Sequence, residues 1–135
     1  MSKAKKSVLF VCIENSSRSQ IAEGFAKSLG LEAESAGTLP STYVNPLVVQ
    51  AMLEKGIDTS HNVPKALTPE TIDRADVVVL TDVSIEDSFP RKIKGRMRKK
   101  LVRWSIPDLQ REPIEGIRLV RDEIELKVIE LASKL

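Results

Sequence analysis

The chain has 135 residues and a mass of 15.0 kDa, enough for a single domain with one hydrophobic core. Hydrophobic residues make up 41% and charged residues 30%, with a net charge of +2, which excludes a disordered chain, and no apolar run approaches the roughly 20 residues of a membrane span. One cysteine, Cys12, and one histidine, His61, exclude an internal disulfide and a Cys/His zinc site, which takes about four such ligands.

After the charged N-terminus comes an apolar stretch of only about six residues, too short for a signal peptide, so a cytoplasmic location is expected. Residues 7–11 (Ser-Val-Leu-Phe-Val) are continuously apolar and rich in β-branched and aromatic side chains, which predicts a strand buried on both faces. From Ser19 the apolar residues Ile21, Ala22, Phe25, Ala26 and Leu29 recur at helical spacing, and Gly30 is the expected stop. Residues 32–35 are a candidate second strand. A second helix is predicted over 46–55, with Asn45 as N-cap, Pro46 in the first turn and Gly56 ending it. Thr68 is placed to cap a short third helix. Residues 76–81, with Val77-Val78-Val79-Leu80, read as a second fully apolar strand, and 101–104 as a short one. A last helix spans about 114–135. Strands alternating with helices predict a parallel sheet covered on both faces, with ligands beyond the carboxyl ends of the strands.

The loop Cys12-Ile13-Glu14-Asn15-Ser16-Ser17-Arg18-Ser19 lies at such an end and opens a helix. Its backbone N–H groups and the helix dipole make an oxyanion receptor. Arg18 adds a planar fork that matches two oxygens of a tetrahedral anion. The same field favours the thiolate of Cys12. Ser19 is placed to donate a hydrogen bond to the sulfur, and Asn15 and Ser16 to hold the loop. Asn15 also tolerates left-handed backbone. A lone cysteine at a strand end is usually a small buried hydrophobe; the strand, cysteine, five residues, arginine and serine together are far more specific. A thiolate beside a tetrahedral oxyanion permits in-line attack at phosphorus or arsenic. With histidine scarce, the proton donor to the leaving oxygen is a carboxylic acid, and Asp108, past the predicted strand and stiffened by Pro107, is the candidate.

The chain resembles the low-molecular-weight protein tyrosine phosphatase superfamily, which includes the thiol-coupled arsenate reductases. The resemblance spans almost the whole sequence: Val8-Leu9-Phe10-Val11-Cys12, Asn15-Ser16-Ser17-Arg18-Ser19-Gln20, Ser35-Ala36-Gly37-Thr38, Val44-Asn45-Pro46, Gly56-Ile57-Asp58, Asp76-Val77-Val78-Val79, Trp104-Ser105-Ile106-Pro107-Asp108 and Val120-Arg121-Asp122-Glu123. It implies one domain over residues 1–135, an α/β three-layer sandwich with a four-stranded parallel sheet flanked by helices on both faces. It implies Cys12 as nucleophile, Arg18 as oxyanion clamp, Asp108 as general acid, Ser19 as thiolate stabiliser and Asn15 as loop organiser, with Ile13, Glu14, Asn15, Ser16, Ser17 and Arg18 forming the oxyanion-binding loop. The reaction so implied needs no metal and no cofactor.

Residues 15–20 look more like the arsenate reductases. Many of those pass an arsenic-bound cysteine to two further cysteines after the third strand, and residues 81–90 hold none. Reduction here therefore needs an external thiol or a glutaredoxin-like donor. Leu109 stands where the phosphatases have proline, Glu14 replaces a glycine, and the aromatic wall of a phosphotyrosine pocket is missing; only Tyr43 and Trp104 look placed to line a mouth, although Trp104 also suits the core.

The leading expectation is phosphomonoester hydrolysis through a phosphocysteine intermediate, on a phosphorylated protein or small phosphomonoester. The alternatives are arsenate reduction with an external thiol and, more weakly, a noncatalytic oxyanion- or phospho-ligand-binding module. Segment 91–103 carries eight basic residues and no acidic one. It reads as a solvated, charge-rich connection that offers a positive rim to the Asp108 loop, without the interleaved aromatics of a nucleic-acid surface, so neither a nucleic-acid nor a membrane partner is expected. His61 reads as a loop residue. Some arsenate reductases hold a potassium ion beside groups matching Asn15, Glu23 and Ser35; Lys65 aligns with a carboxylate of that site, so its ammonium is a candidate replacement for the ion, and a plain surface lysine is an equal reading.

Overall fold

The computed structural model describes residues 6–135; most of the charged N-terminus weighed above as a leader, residues 1–5, lies outside them. Four strands, β1 (Ser7–Cys12), β2 (Glu32–Gly37), β3 (Val77–Leu80) and β4 (Leu101–Arg103), form one sheet in the order β2–β1–β3–β4. Every pairing is parallel. The helices are α1 (Arg18–Ser28), α2 (Pro46–Leu53), α3 (Pro69–Arg74), α4 (Arg91–Met97) and α5 (Ile114–Ser133).

Alternation along the strands builds two cores. Val8 and Phe10 of β1 and Val79 of β3 pack with Ile21, Phe25, Val48, Met52, Ile117 and Ile124 from α1, α2 and α5. Leu9, Val11, Val78 and Leu80 face the other way, onto Ile72 of α3 and Met97 of α4. Burying each such side chain contributes about 1.5–3 kcal/mol. This is the three-layer sandwich expected. Its two central strands are apolar on both faces because both faces are covered.

Element edges differ from the expectation by a residue or two. α1 starts at Arg18 and α2 ends at Leu53. Asn45 caps α2, accepting from Leu47 N at 3.0 Å, and Thr68 caps α3. The larger difference is residues 91–100, expected as a connection. They fold into α4 and a 3₁₀ turn (Arg98–Lys100) that lead into β4, the short strand expected there. Met97 is buried and Ile93 packs in the same second core, while four of the eight cations, Lys94, Arg96, Lys100 and Arg103, find partners. Arg96 pairs with Asp73 at 2.5 Å and Arg103 with Glu86 at 2.6 Å. Lys100 Nζ donates to the carbonyls of Ile72 and Ala75 at the end of α3, where a cation meets the negative end of a helix.

A carboxylate clasp joins α2 to α5. Glu54 accepts from Arg121 Nη1 at 2.7 Å and from Arg118 Nη2 at 2.7 Å. Arg121 Nη1 also donates to Ala51 O at 2.9 Å. The hydrogen bonds from Arg118 and then Arg121 hold the Glu54 carboxyl down at about 2, from the ordinary 4.5. A group whose pKa is depressed on folding stabilises the fold above its unfolded value and loses that contribution as pH falls through its folded value. The melting temperature of wild type is expected to exceed that of Glu54→Gln at neutral pH. The gap is expected to shrink from about pH 4.5 downward and to close near pH 2, as followed by circular dichroism over an acid series.

Candidate active site

β1 carries Cys12 to the carboxyl edge of the sheet, and the chain turns through residues 13–17 into α1. Cys12, 3% exposed, lies at a cavity of about 300 Å³ lined also by Ile13, Glu14, Ser16, Ser17, Arg18, Leu39, Asp108 and Gln110. Ser17, the N-cap of α1, turns no side chain onto the first-turn amides, which leaves these donors for an anion in the cavity.

The loop takes its shape from Asn15, fully buried and left-handed with φ 54°. Its Oδ1 accepts from Lys65 N at 2.9 Å and Gln20 Nε2 at 3.3 Å, and its Nδ2 donates to Ser19 Oγ at 2.7 Å. Ser19 Oγ also lies 2.9 Å from Cys12 Sγ. The hydroxyl accepts from Asn15, and toward a Cys12 thiolate, which carries no proton, it is the donor. Asn15 N donates to the same sulfur at 3.1 Å. Ser19 Oγ and Asn15 N thus converge on Sγ. Gly37 closes the arrangement from β2: a Cβ there would lie 2.5 Å from Ile13 O and 2.9 Å from Asn15 N, so the loop packs directly on glycine backbone.

Arg18, buried, donates through Nη1 to Asp82 Oδ2 at 3.1 Å and to Ile106 O at 2.9 Å. Asp82 N-caps the 3₁₀ turn Val83–Ser88. Its burial pushes the carboxyl up, but Ser84 and Arg18 outweigh this and hold it below its usual value. Asp108 is exposed at the cavity and accepts from Gln110 N at 3.1 Å. Its neighbours Ile106 and Leu109 are buried at 4% and 0%, so the leucine that stands in place of proline anchors this loop in the core.

Cys12, Ile13, Glu14, Ser16, Ser17, Arg18 and Asp108 therefore share one cavity, whereas Asn15 and Ser19 stand behind it. Other expectations need correction. No residue of 91–103 lines the cavity, because α4 packs in the second core, with α3 on the far face of the sheet. Trp104 is in the core against Phe10, centroids 5.8 Å apart, and Tyr43 is exposed without lining the cavity; Leu39 takes the rim position instead. His61, as expected, is an exposed loop residue outside the site. Lys65 serves through its backbone, donating to Asn15 and accepting from Gly37 N at 2.8 Å, while its side chain is solvent-exposed. The ammonium at the buried Glu23 is that of Lys27, at 2.7 Å, one helical turn on, and the hydroxyl of Ser35 donates to the same carboxylate. With that carboxylate met by an ammonium and lysine at the aligned acidic position, the residues do not fit an alkali ion. Asp82 escaped the sequence reading altogether; an acidic residue directly after a strand that neighbours the loop was the available signal.

The parallel sheet with a cysteine-to-arginine oxyanion loop at its carboxyl edge defines the class of the low-molecular-weight cysteine phosphatases. Residues 7–135 match the family described as low molecular weight phosphotyrosine protein phosphatase, and the chain belongs to it. It is 32% identical over 136 residues to an arsenate reductase of Staphylococcus aureus strain Newman, covering 96% of this chain and 98% of that one. It is 33% identical over 133 residues to a glutaredoxin arsenate reductase of Synechocystis, with 96% and 98% coverage. Among solved structures it superposes on YwlE arginine phosphatase from Geobacillus stearothermophilus with a TM-score of 0.85, at 27% identity over 96% of this chain and 92% of that one.

The roles assigned to Asn15 separate in two variants. Asn15→Ala and Asn15→Gly both remove the amide that orients Ser19, and both are expected to weaken inorganic phosphate binding about tenfold, read by calorimetry. Only alanine also meets the left-handed backbone cost, so Asn15→Ala is expected to unfold more easily than Asn15→Gly by about 1 kcal/mol in urea.

Proposed function

We propose that the chain is a phosphatase, acting as one catalytic domain, that cleaves phosphomonoesters of a phosphorylated protein or small molecule through a phosphocysteine intermediate. The observation that carries this is the cavity itself: a sulfur with two converging donors, an anchored guanidinium and a carboxyl group all face one space of about 300 Å³. The Cys12 thiolate attacks phosphorus in line, the S–P bond forms and the bond to the leaving oxygen breaks. Asp108 gives that oxygen its proton. Arg18 and the loop amides stabilise the charge on the equatorial oxygens. Water then attacks the phosphocysteine, Asp108 takes its proton, and phosphate leaves with the thiolate restored. A nucleophile that must stay reduced suits the cytoplasm, and among the described residues no helix is long and apolar enough to cross a membrane.

Likeness to two arsenate reductases supports a second reading. Arsenate is another tetrahedral oxyanion, and Cys12 displaces one of its oxygens as water to give an S–As adduct. An external thiol attacks that sulfur, the As–S electron pair stays on arsenic as arsenite, and a mixed disulfide forms. A second thiol, glutaredoxin-like or of low molecular weight, releases Cys12. Because Cys12 is the one cysteine of the sequence, both thiols come from outside.

Purified protein with p-nitrophenyl phosphate is expected to turn over. Cys12→Ser is expected to abolish release. Asp108→Asn is expected to lower kcat by about 10²–10⁴ on an alkyl phosphate, with a smaller effect on p-nitrophenyl phosphate, whose leaving group is acidic. Phosphate release that survives Cys12→Ser would remove the nucleophile assignment. Arsenite formation with added thiol, beside negligible ester hydrolysis, would promote the second reading.

A further inference from the structure

We propose that Asp82 is a positioning residue for Arg18, turning the Nε–Nη2 edge of the guanidinium toward the substrate oxyanion and coupling it to the Asp108 loop. The inference rests on the hydrolytic reading for its kinetic arm and on oxyanion binding alone for the other.

An arginine carries five N–H donors. Here both hydrogens of Nη1 are engaged, one by Asp82 Oδ2 at 3.1 Å and one by Ile106 O at 2.9 Å. The donors of Nε and Nη2 remain, and these are the parallel pair that matches two oxygens of a tetrahedral anion. Both anchors are stiff. Asp82 Oδ1 accepts from Ser84 N at 2.9 Å and from Ser84 Oγ at 2.5 Å, which aims Oδ2 at the arginine. Ile106 N donates to Thr81 O at 3.1 Å, next to an isolated bridge that pairs Asp82 with Ser105. Asp82 and Ile106 are thus neighbours across the ends of β3 and β4, and Ile106 stands two residues before Asp108. One guanidinium nitrogen joins the anion cradle, the end of β3 and the loop of the proton donor.

The competing role is charge balance alone: the Arg18 side chain is 6% exposed and Asp82 is its ion-pair partner. The two roles differ in sign. Removing a carboxylate that only balances charge leaves the guanidinium more attractive to anions and tightens phosphate binding. Removing an anchor loosens the fork and weakens it.

The test is a cycle of Asp82→Ala, Arg18→Lys and the double variant, with melting temperature, inorganic phosphate affinity by calorimetry, and kcat and KM on p-nitrophenyl phosphate. Asp82→Ala is expected to raise the phosphate Kd about tenfold and to lower kcat about tenfold. Beside Arg18→Lys, which lacks the fork, the same change is expected to matter less than about twofold. Tighter or unchanged phosphate binding in Asp82→Ala, or equal factors in both backgrounds, would overturn the proposal. If Asp82→Ala does not fold, Asp82→Asn carries the cycle, with a loss of about two- to fivefold expected beside Arg18 and none beside Arg18→Lys; no loss in either background overturns it. Wild type that binds phosphate but hydrolyses no ester would remove the phosphatase reading, and the binding arm would still decide the role of Asp82.

Discussion

The site depends on one buried hydroxyl. Ser19 Oγ accepts from Asn15 Nδ2 and shares a hydrogen bond with Cys12 Sγ, which it donates when the sulfur is a thiolate. Asn15 is in turn held by the backbone of Lys65 and the amide of Gln20, and Gln20 by Asn62. The chain of donors runs from the 59–66 loop, through the buried interior of the anion loop, to the sulfur. Asn15, Ser19 and Gln20 are each at most 1% exposed. Polar groups so deeply buried specify one geometry only when they are satisfied, and a partly satisfied network would favour a different loop. The sulfur's environment is thus built from residues that do not line the cavity.

The sheet explains why these groups meet. β1 lies at the centre, with β2 on one side and β3 then β4 on the other. Connections leaving β1 and β3 diverge at that point, which opens a crevice at the carboxyl edge. Cys12 ends β1, Gly37 ends β2, Asp82 follows β3 and Ile106 follows β4. Because all four strands are parallel, every one of these ends reaches the same side. Close packing of Gly37 on the loop sets its height, and the bond from Arg18 to Ile106 O sets the distance to the Asp108 loop.

Legibility in the sequence followed local pattern strength. The apolar runs of β1 and β3 and the helical period of α1 carry their own identity, as does the loop between Cys12 and Arg18. α4 does not: its seven residues include one glycine and four cations, and only Ile93 and Met97 turn inward, too few to show a period. Lys27 was visible as an i,i+4 partner of Glu23, yet alignment with a relative's ion site drew attention to Lys65, whose side chain points to solvent. Asp82 was hidden for a different reason. Its significance is a pairing 64 residues away in sequence, which only the strand order creates.

The same cradle serves two chemistries among relatives, and physical reasons explain why. Amides, a guanidinium and a thiolate recognise the charge and tetrahedral shape of an oxyanion, which phosphate and arsenate share. What separates hydrolysis from reduction is the next step. A phosphorus–sulfur bond is resolved by water with a carboxyl group to take the proton, and Asp108 stands at the cavity. An arsenic–sulfur bond is resolved by electrons from a second sulfur. Beyond Cys12 the sequence has no sulfur of that kind, its only other sulfur atoms being in three methionines. Nothing in the residues that bind the anion favours one central atom over the other. The discrimination lies instead in the rim, where Leu39, Glu14 and Gln110 replace an aromatic wall, and in whether a partner's thiol reaches a sulfur that is 3% exposed. Water attacks the phosphorus, which would sit in the open cavity, whereas a thiol must reach the recessed sulfur itself, and this asymmetry of access is the physical ground on which hydrolysis ranks first.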